Sequence, residues 1–253
     1  MIAMLGMYDI PALQDANDRF WQLIREHLGH GPARLSRDRD YWEMWQSPDL
    51  LLGQTCSLPY RTRLHGTVGL IGTPDYGLPD CPPGFYQSVF VVNADADGET
   101  LADFSDGTFA YNESASQSGW SGPTTHLRAA NIHFDSLLET GAHVISAQAV
   151  AEGRADIAGL DALTWSLIQE HGSVANRLRV ITKTTPTPGL PYITAKSRDV
   201  AALTRAVRSA IDALTPQDRD LLHLKGLVSI DPASYLAIPN PPAPKQKTLF
   251  SQG

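Results

Sequence analysis

The feature that most constrains this fold is a strand-helix alternation running through the second half of the chain. Thr108 to Tyr111 reads as a strand, and a serine-rich stretch then leads into a helix ending near Ala130. Ile132 to Leu138 reads as a strand, Val144 to Glu152 as a helix stopped by Gly153, and Ala155 to Leu160 as a strand. Ala162 to His171 and Leu178 to Thr182 add one more helix and strand. A β-α-β-α-β run with short connections predicts an α/β lobe built on a parallel sheet with right-handed crossovers.

The first half carries a second set of such signals. Ile2 to Met7 predicts a strand, and residues 11–28 predict a helix with Leu13, Ala16, Phe20, Leu23, Ile24 and Leu28 on its buried face. Arg37 to Trp45 and Pro59 to Leu64 read as short helices, Leu50 to Gly53 and Thr67 to Ile71 as strands. The proline-rich residues 73–84 predict an irregular loop. Tyr86 to Val92 reads as a long strand leaving this first lobe, and Tyr192 to Thr194 as a short strand leading back to it. An amphipathic helix over Asp199 to Leu214 and a capped helix start at Thr215-Pro216 follow. From Ile238 the chain turns proline-rich, then basic and polar, which predicts a disordered tail.

Composition narrows the partners. A chain of 253 residues, 42% of them hydrophobic, has length and apolar content enough to bury a core. Its net charge of −7 argues against nucleic acid or an anionic membrane as a partner, but leaves room for a small anion held by local donors. No stretch reaches the roughly 20 apolar residues of a membrane span, so no membrane insertion is expected. The opening residues lack a basic region and a long apolar run, so they predict a strand and not a secretory leader; a native start at Met1 implies the cytoplasm. His27 and His30 have no well-placed acidic ligand beside them, and no metal or cofactor is expected. Cys56 and Cys81 leave two readings open, one disulfide or two free thiols.

Polar clusters fall at strand ends and helix starts. Ser116-Gln117-Ser118-Gly119 puts two hydroxyls, an amide and a glycine at the mouth of a helix, where unpaired N–H groups and a partial positive charge favour an oxyanion. Tyr8, Thr55, Ser88 and Asp161 lie at or near strand ends, and His143 opens a helix. In open α/β sheets ligands bind at carboxyl strand ends. Each residue also has a plainer role: serines and Asp161 as helix caps, Tyr8 as a half-buried aromatic, His143 as a structural imidazole. Asp161 repels an anion unless the ligand carries a donor such as a P–OH or an ammonium group, which makes it a selector. Ser118, His143 and Asp161 stand in the order of a hydrolytic triad, but no G-x-S-x-G elbow, P-loop or H-E-x-x-H motif accompanies them.

Across roughly residues 2–195 the chain resembles the phosphate/phosphite/phosphonate type of ABC-transporter solute-binding protein. The matching segments are Met7-Tyr8-Asp9, Leu51-Leu-Gly-Gln-Thr-Cys56, Leu70-Ile-Gly-Thr-Pro74, Tyr86-Gln-Ser88, Ser116-Gln-Ser-Gly119, Thr140-Gly-Ala-His143, Ala149-Val-Ala-Glu-Gly-Arg-Ala-Asp156, Leu160-Asp161 and Pro188-Gly-Leu-Pro191. The resemblance implies a type 2 periplasmic-binding-protein fold: two Rossmann-like lobes, residues 1–91 with 192–253 and residues 92–191, joined by crossing strands around a ligand cleft. It implies a monomer, not an enzyme, that captures phosphate, phosphite or a phosphonate for an ABC permease, with a periplasmic location. Ser116, Ser118 and Gly119 match the family's phosphoryl-binding helix start. Tyr8, His143 and Asp161 match its tyrosine, histidine and acid, and Thr55 and Ser88 match its first-lobe contacts more loosely. Gln117 stands where phosphonate binders often carry threonine. Relatives carry a cysteine pair near Cys56 and Cys81, which favours the disulfide. An enzyme acting on a phosphorylated or heterocyclic metabolite, and a cytoplasmic ligand sensor, are the alternatives on the same fold.

Overall fold

The structure, a computed structural model, describes residues 1–244. Twelve strands occur among these residues. In chain order they are β1 (Ile2–Met4), β2 (Leu50–Gln54), β3 (Val68–Asp75), β4 (Phe85–Tyr86), β5 (Ser88–Asn93) and β6 (Thr108–Tyr111). The rest are β7 (Ser136–Glu139), β8 (Ile157–Asp161), β9 (Leu178–Lys183), β10 (Thr187–Pro188), β11 (Tyr192–Ala195) and β12 (Gly226–Val228).

They form two five-stranded sheets, β1-β2-β11-β3-β12 and β7-β6-β8-β5-β9, and a small ribbon of β4 with β10. The sheets are mixed, which refines the parallel expectation. β1 and β2 are parallel, as are β7, β6 and β8. Into the interior of each sheet the chain inserts a strand antiparallel to both neighbours, β11 between β2 and β3 and β5 between β8 and β9, and at the edge of the first sheet β12 also runs antiparallel to β3. These are the two crossing segments. β5 leaves the first lobe to complete the second sheet, and β11 returns to complete the first. Just outside them β4 and β10 pair Thr187 with Tyr86, so both passages of chain are tied together where they cross.

Local chemistry accounts for most boundaries. The helix Gln14–Leu28 buries Ala16, Phe20, Trp21 and Ile24 and ends on Gly29, whose φ of 78° is the left-handed conformation glycine adopts readily. Asp199 caps Val200–Ala213 by accepting from the Ala202 amide, and Thr215 caps Pro216–Leu221 by accepting from the Asp218 amide. β5 and β8 are continuous apolar runs because both faces of their sheet are covered by helices. The helix expected over Arg37 to Trp45 covers only Tyr41–Trp45, since Arg37 is drawn into ion pairs with Asp9 and Asp18.

Several expectations change. The strand expected from Ile132 begins only at Ser136, after the left-handed Asn131. The long strand over Tyr86 to Val92 is broken at Gln87, which marks the passage between lobes. β12 and the helix Pro232–Leu236 are additional elements, and they pack on the first lobe through Tyr235, whose hydroxyl meets Thr73 Oγ1 at 2.6 Å. The tail expected to be disordered is held as far as Pro244: the carbonyl of Pro239 accepts from Arg61 and Ser121, and that of Pro242 from the Trp120 indole. Its prolines lack N–H groups but keep their carbonyls, and these find buried donors. The rest of that expectation, residues 245–253, lies outside the described residues. No helix among the described residues is long and apolar enough to cross a membrane.

Phe90 is fully buried in crossing strand β5, in contact with Phe109. Phe90→Ala is expected to lower unfolding free energy by about 3–5 kcal/mol, read as a shift in the urea midpoint at unchanged m-value.

Candidate functional site

The carboxyl ends of β1, β2, β6 and β8 all lead to the junction between the lobes. β1 delivers Tyr8, β2 delivers Thr55 to Ser57, β6 leads to Ser116, and β8 ends on Asp161. The register of β5 on β8 sets Ser88 directly opposite Asp161. All of these side chains are buried, so the lobes are closed on one another.

The helix start is built by a single cap. Ser116 is extended, its Oγ accepts the Gly119 amide at 3.0 Å, and its carbonyl accepts the Ser121 amide at 3.0 Å. The wide turn Gln117–Ser121 then runs directly into the helix Gly122–Ala129. The Gln117 amide, a free donor of this helix start, points across the junction to Cys56 Sγ at 3.3 Å. A first-lobe group therefore stands where the helix offers its positive end. Gly119 also makes room within the protein. A Cβ there would lie 1.9 Å from Asn112 Oδ1, so the glycine admits the Asn112 side chain against the turn.

Ser118 Oγ lies 3.0 Å from His143 Nε2. His143 is buried, and loss of hydration lowers its pKa to about 4, with the nearby Gly159 backbone partly opposing the shift. The imidazole is therefore neutral near pH 7. Asp161 receives the Tyr8 hydroxyl at 2.9 Å from the first lobe and the Thr164 amide at 2.9 Å from its own helix. It is cap and cross-lobe partner at once. Burial raises its pKa to about 6, with the hydrogen bonds from Thr164 and Tyr8 working the other way. Thr55 is fully buried, but its hydroxyl makes only a long 3.4 Å contact to the Cys56 carbonyl.

Cys56 and Cys81 are both free, so of the two readings left open the structure has the free thiols and not the disulfide that the resemblance favoured. Cys56 Sγ is engaged by the Gln117 amide at the junction, whereas Cys81 lies in the proline-rich loop beside Asp80 and Lys183. Three further groups meet at the junction that strand-end reasoning did not select: Ser57, Tyr86 and Arg61. Ser57 and Tyr86 adjoin selected residues in sequence; Arg61 carries no sequence signal beyond its charge within a short helix. Among the described residues no cluster suited to a metal occurs.

Space at the junction is small. A cavity beside Tyr8, Gln54, Tyr76 and Tyr192 measures about 20 Å³, room for about one water. A cavity of about 550 Å³ lies elsewhere, on the second lobe between Phe109, Leu127, Phe134 and Pro242. The junction is where the strand ends, the helix start and the perturbed titrating groups coincide, and it is the candidate site.

Two lobes with crossing strands and a polar junction at their carboxyl strand ends define the type 2 periplasmic-binding-protein fold. The chain belongs to the family of periplasmic substrate-binding proteins of phosphonate ABC transporters, whose family model matches residues 63–235. Its members are transporter components, not enzymes. Among solved structures, the binding-protein component of an ABC phosphonate transporter from Pseudomonas aeruginosa matches with TM-score 0.71 at 18% identity over 93% of this chain and 82% of that one. PhnD1 from Prochlorococcus marinus, solved with methylphosphonate, matches with TM-score 0.67 at 19% identity over 88% and 90% of the two chains. A Xanthomonas citri protein bound to chloride gives 0.67 at 14% identity over 92% of each chain. At these identities the likeness is one of fold. A search of curated proteins finds no match.

The two buried titrating groups oppose each other in acid. Asp161 binds its proton more tightly folded than unfolded, so stability falls as pH rises from about 4 to 6. His143 binds its proton less tightly folded, so stability falls as pH drops from about 6.5 to 4. Each effect is on the order of 3 kcal/mol, from shifts of two units or more. Urea melts between pH 4 and 6.5 are expected to show D161N losing stability on acidification relative to wild type, and H143Q gaining it. Parallel profiles for all three proteins would contradict the assignment.

Proposed function

We propose that this chain is a solute-binding protein that captures a small phosphorus oxyanion between its lobes, a phosphate, phosphite or phosphonate, and passes it to an ABC permease. The observation that carries the reading is the helix start at Ser116, whose first free amide reaches across the lobe junction and whose Ser118 hydroxyl rests on a neutral histidine. Such a start offers donors to a tetrahedral anion without introducing a competing carboxylate. The lobes, divided near Gln87 and near Pro191 where β5 and β11 enter their sheets, open about the β4–β10 crossing to admit ligand and close to bury it. Ser116, Gln117 and Ser118 hold the anionic head. Tyr8, Thr55 and Ser88 meet it from the first lobe and crossing strand, and His143 orients Ser118. Phosphonate-transporter membership and the fold shared with PhnD1, solved with methylphosphonate, support the ligand class.

Asp161 selects by protonation. Above its pKa of about 6 it is a carboxylate and accepts from a ligand that carries a donor. Below that value it becomes a donor itself and welcomes a fully deprotonated anion. Sulfate, whose charge is constant over this range, is therefore expected to bind more tightly at pH 5 than at pH 8 in wild type and equally at both in D161N. 2-Aminoethylphosphonate is expected to keep its affinity at pH 8.

The reading is tested by thermal shift against phosphate, phosphite, methylphosphonate, 2-aminoethylphosphonate and sulfate. A ligand at 100 times its Kd stabilises by about 2.7 kcal/mol. One phosphorus oxyanion is expected to raise Tm strongly, and Ser118→Ala to weaken its binding by about 1–3 kcal/mol. No shift with any member of the panel, or a shift indifferent to Ser118→Ala, overturns the proposal.

A further inference from the structure

One buried cation at the junction has no counter-charge. Arg61 lies on the first-lobe turn Tyr60–Leu64 and is 7% exposed. Its Nε donates to Asn240 Oδ1 at 2.8 Å, and Nη2 donates to Ser121 Oγ at 3.0 Å and the Pro239 carbonyl at 3.1 Å. All of these acceptors are neutral. No carboxylate among the described residues forms an ion pair with Arg61, and Nη1 is buried with no hydrogen-bond partner. An unpaired buried charge is costly, so a stable fold normally pairs it or brings it a ligand.

The neighbouring groups share this condition. Ser57 Oγ, Tyr86 OH and Gln117 Oε1 are all buried without a hydrogen-bond partner. Tyr86 lies close enough to Ser57 and Cys56 for both to act on its hydroxyl, and both Tyr86 and Cys56 are close enough to Arg61 to act on its charge. The Gln117 amide borders Gly122 together with Ser88 Oγ. Turning that amide over replaces an acceptor with an NH2 donor. Hydroxyls from Ser57 and Tyr86, an amide from Gln117 and a guanidinium from Arg61 then form a donor set with one full positive charge. The first lobe supplies Ser57 and Arg61, and the second supplies Gln117.

We propose that Arg61 is the counter-charge of the bound oxyanion, reaching it through Nη1 beside Ser57, Tyr86 and Gln117. The inference rests on the oxyanion-binding reading and deepens it. The helix start supplies neutral donors, and Arg61 adds the one formal charge that makes a phosphorus oxyanion preferable to a neutral solute of the same shape. Nε and Nη2 tie Arg61 to residues 239–240 of its own lobe and so hold the guanidinium before ligand arrives, and Ser121 joins it when the lobes close.

The test is titration calorimetry with phosphate, phosphite, methylphosphonate and sulfate on wild type, R61Q, S121A, N240A, S57A and Y86F. R61Q is expected to raise Kd for the tightest wild-type ligand at least tenfold. S57A and Y86F, which leave the packing intact, are expected to raise it about three- to tenfold. S121A and N240A loosen the anchoring of Arg61 but keep its charge, and are expected to stay within threefold. Equal losses in R61Q, S121A and N240A would make Arg61 only a fastener between lobes and tail, and overturn the proposal. So would unchanged affinity in R61Q, or, if R61Q does not fold, unchanged affinity in both S57A and Y86F. Wild-type protein that binds none of the four anions fails the oxyanion reading itself, and this inference falls with it.

Discussion

Each sheet of this protein is completed by a strand that the chain carries in from the other lobe. β5 and β11 each run antiparallel to the strands on both sides, and both are buried apart from the Asn93 end of β5. Neither lobe can therefore close its hydrogen-bond ladder alone, and the two folding units share their interiors through these passages. The small β4–β10 ribbon fastens the passages at one place. The hinge motion proposed for the lobes is one that this narrow crossing suits.

The same topology gathers the chemistry. Parallel strands in both sheets point their carboxyl ends at the junction, so Tyr8, Thr55, Ser116 and Asp161 meet although they are far apart in sequence. Register then sets details that strand order alone leaves open, such as Ser88 opposite Asp161. Closure puts polar groups of opposite lobes in direct contact, Tyr8 on Asp161 and Gln117 on Cys56. In the opening proposed above, bonds of this kind are exchanged for water.

Burial tunes this junction as much as the identity of its residues. Asp161 and His143 are perturbed in opposite senses by one cause, the loss of hydration for whichever form is charged. The carboxyl keeps its proton to higher pH and the imidazole sheds its proton earlier, so both drift toward neutrality. Arg61 is also destabilised by burial, but a guanidinium stays protonated near neutral pH. Arg61 and the state of Asp161 thus contribute to the charge of the closed junction together with Glu113, which acts on Cys56, a balance that composition does not reveal.

Much of this architecture was legible in the sequence because it follows from local periodicity. The strand-helix alternation, the helix caps at Asp199 and Thr215, the serine cap at Ser116 and the return strand at Tyr192 are written in apolar spacing and turn chemistry. The family resemblance, carried by short motifs in order, agrees with the family match. What local pattern could not carry was decided by packing. The break at Gln87, the shortened β7 and the docked residues 239–244 depend on partners distant in sequence. So do the free state of Cys56 and Cys81 and the turning of Gly119 toward Asn112. Arg61 is the clearest case. In sequence it is one of many charged residues, since nothing local marks a surface cation from a buried one. Its burial arises only when the first-lobe turn, the Ser121 helix and the C-terminal segment close around it, because solvent exposure is a property of the assembled fold and not of the chain.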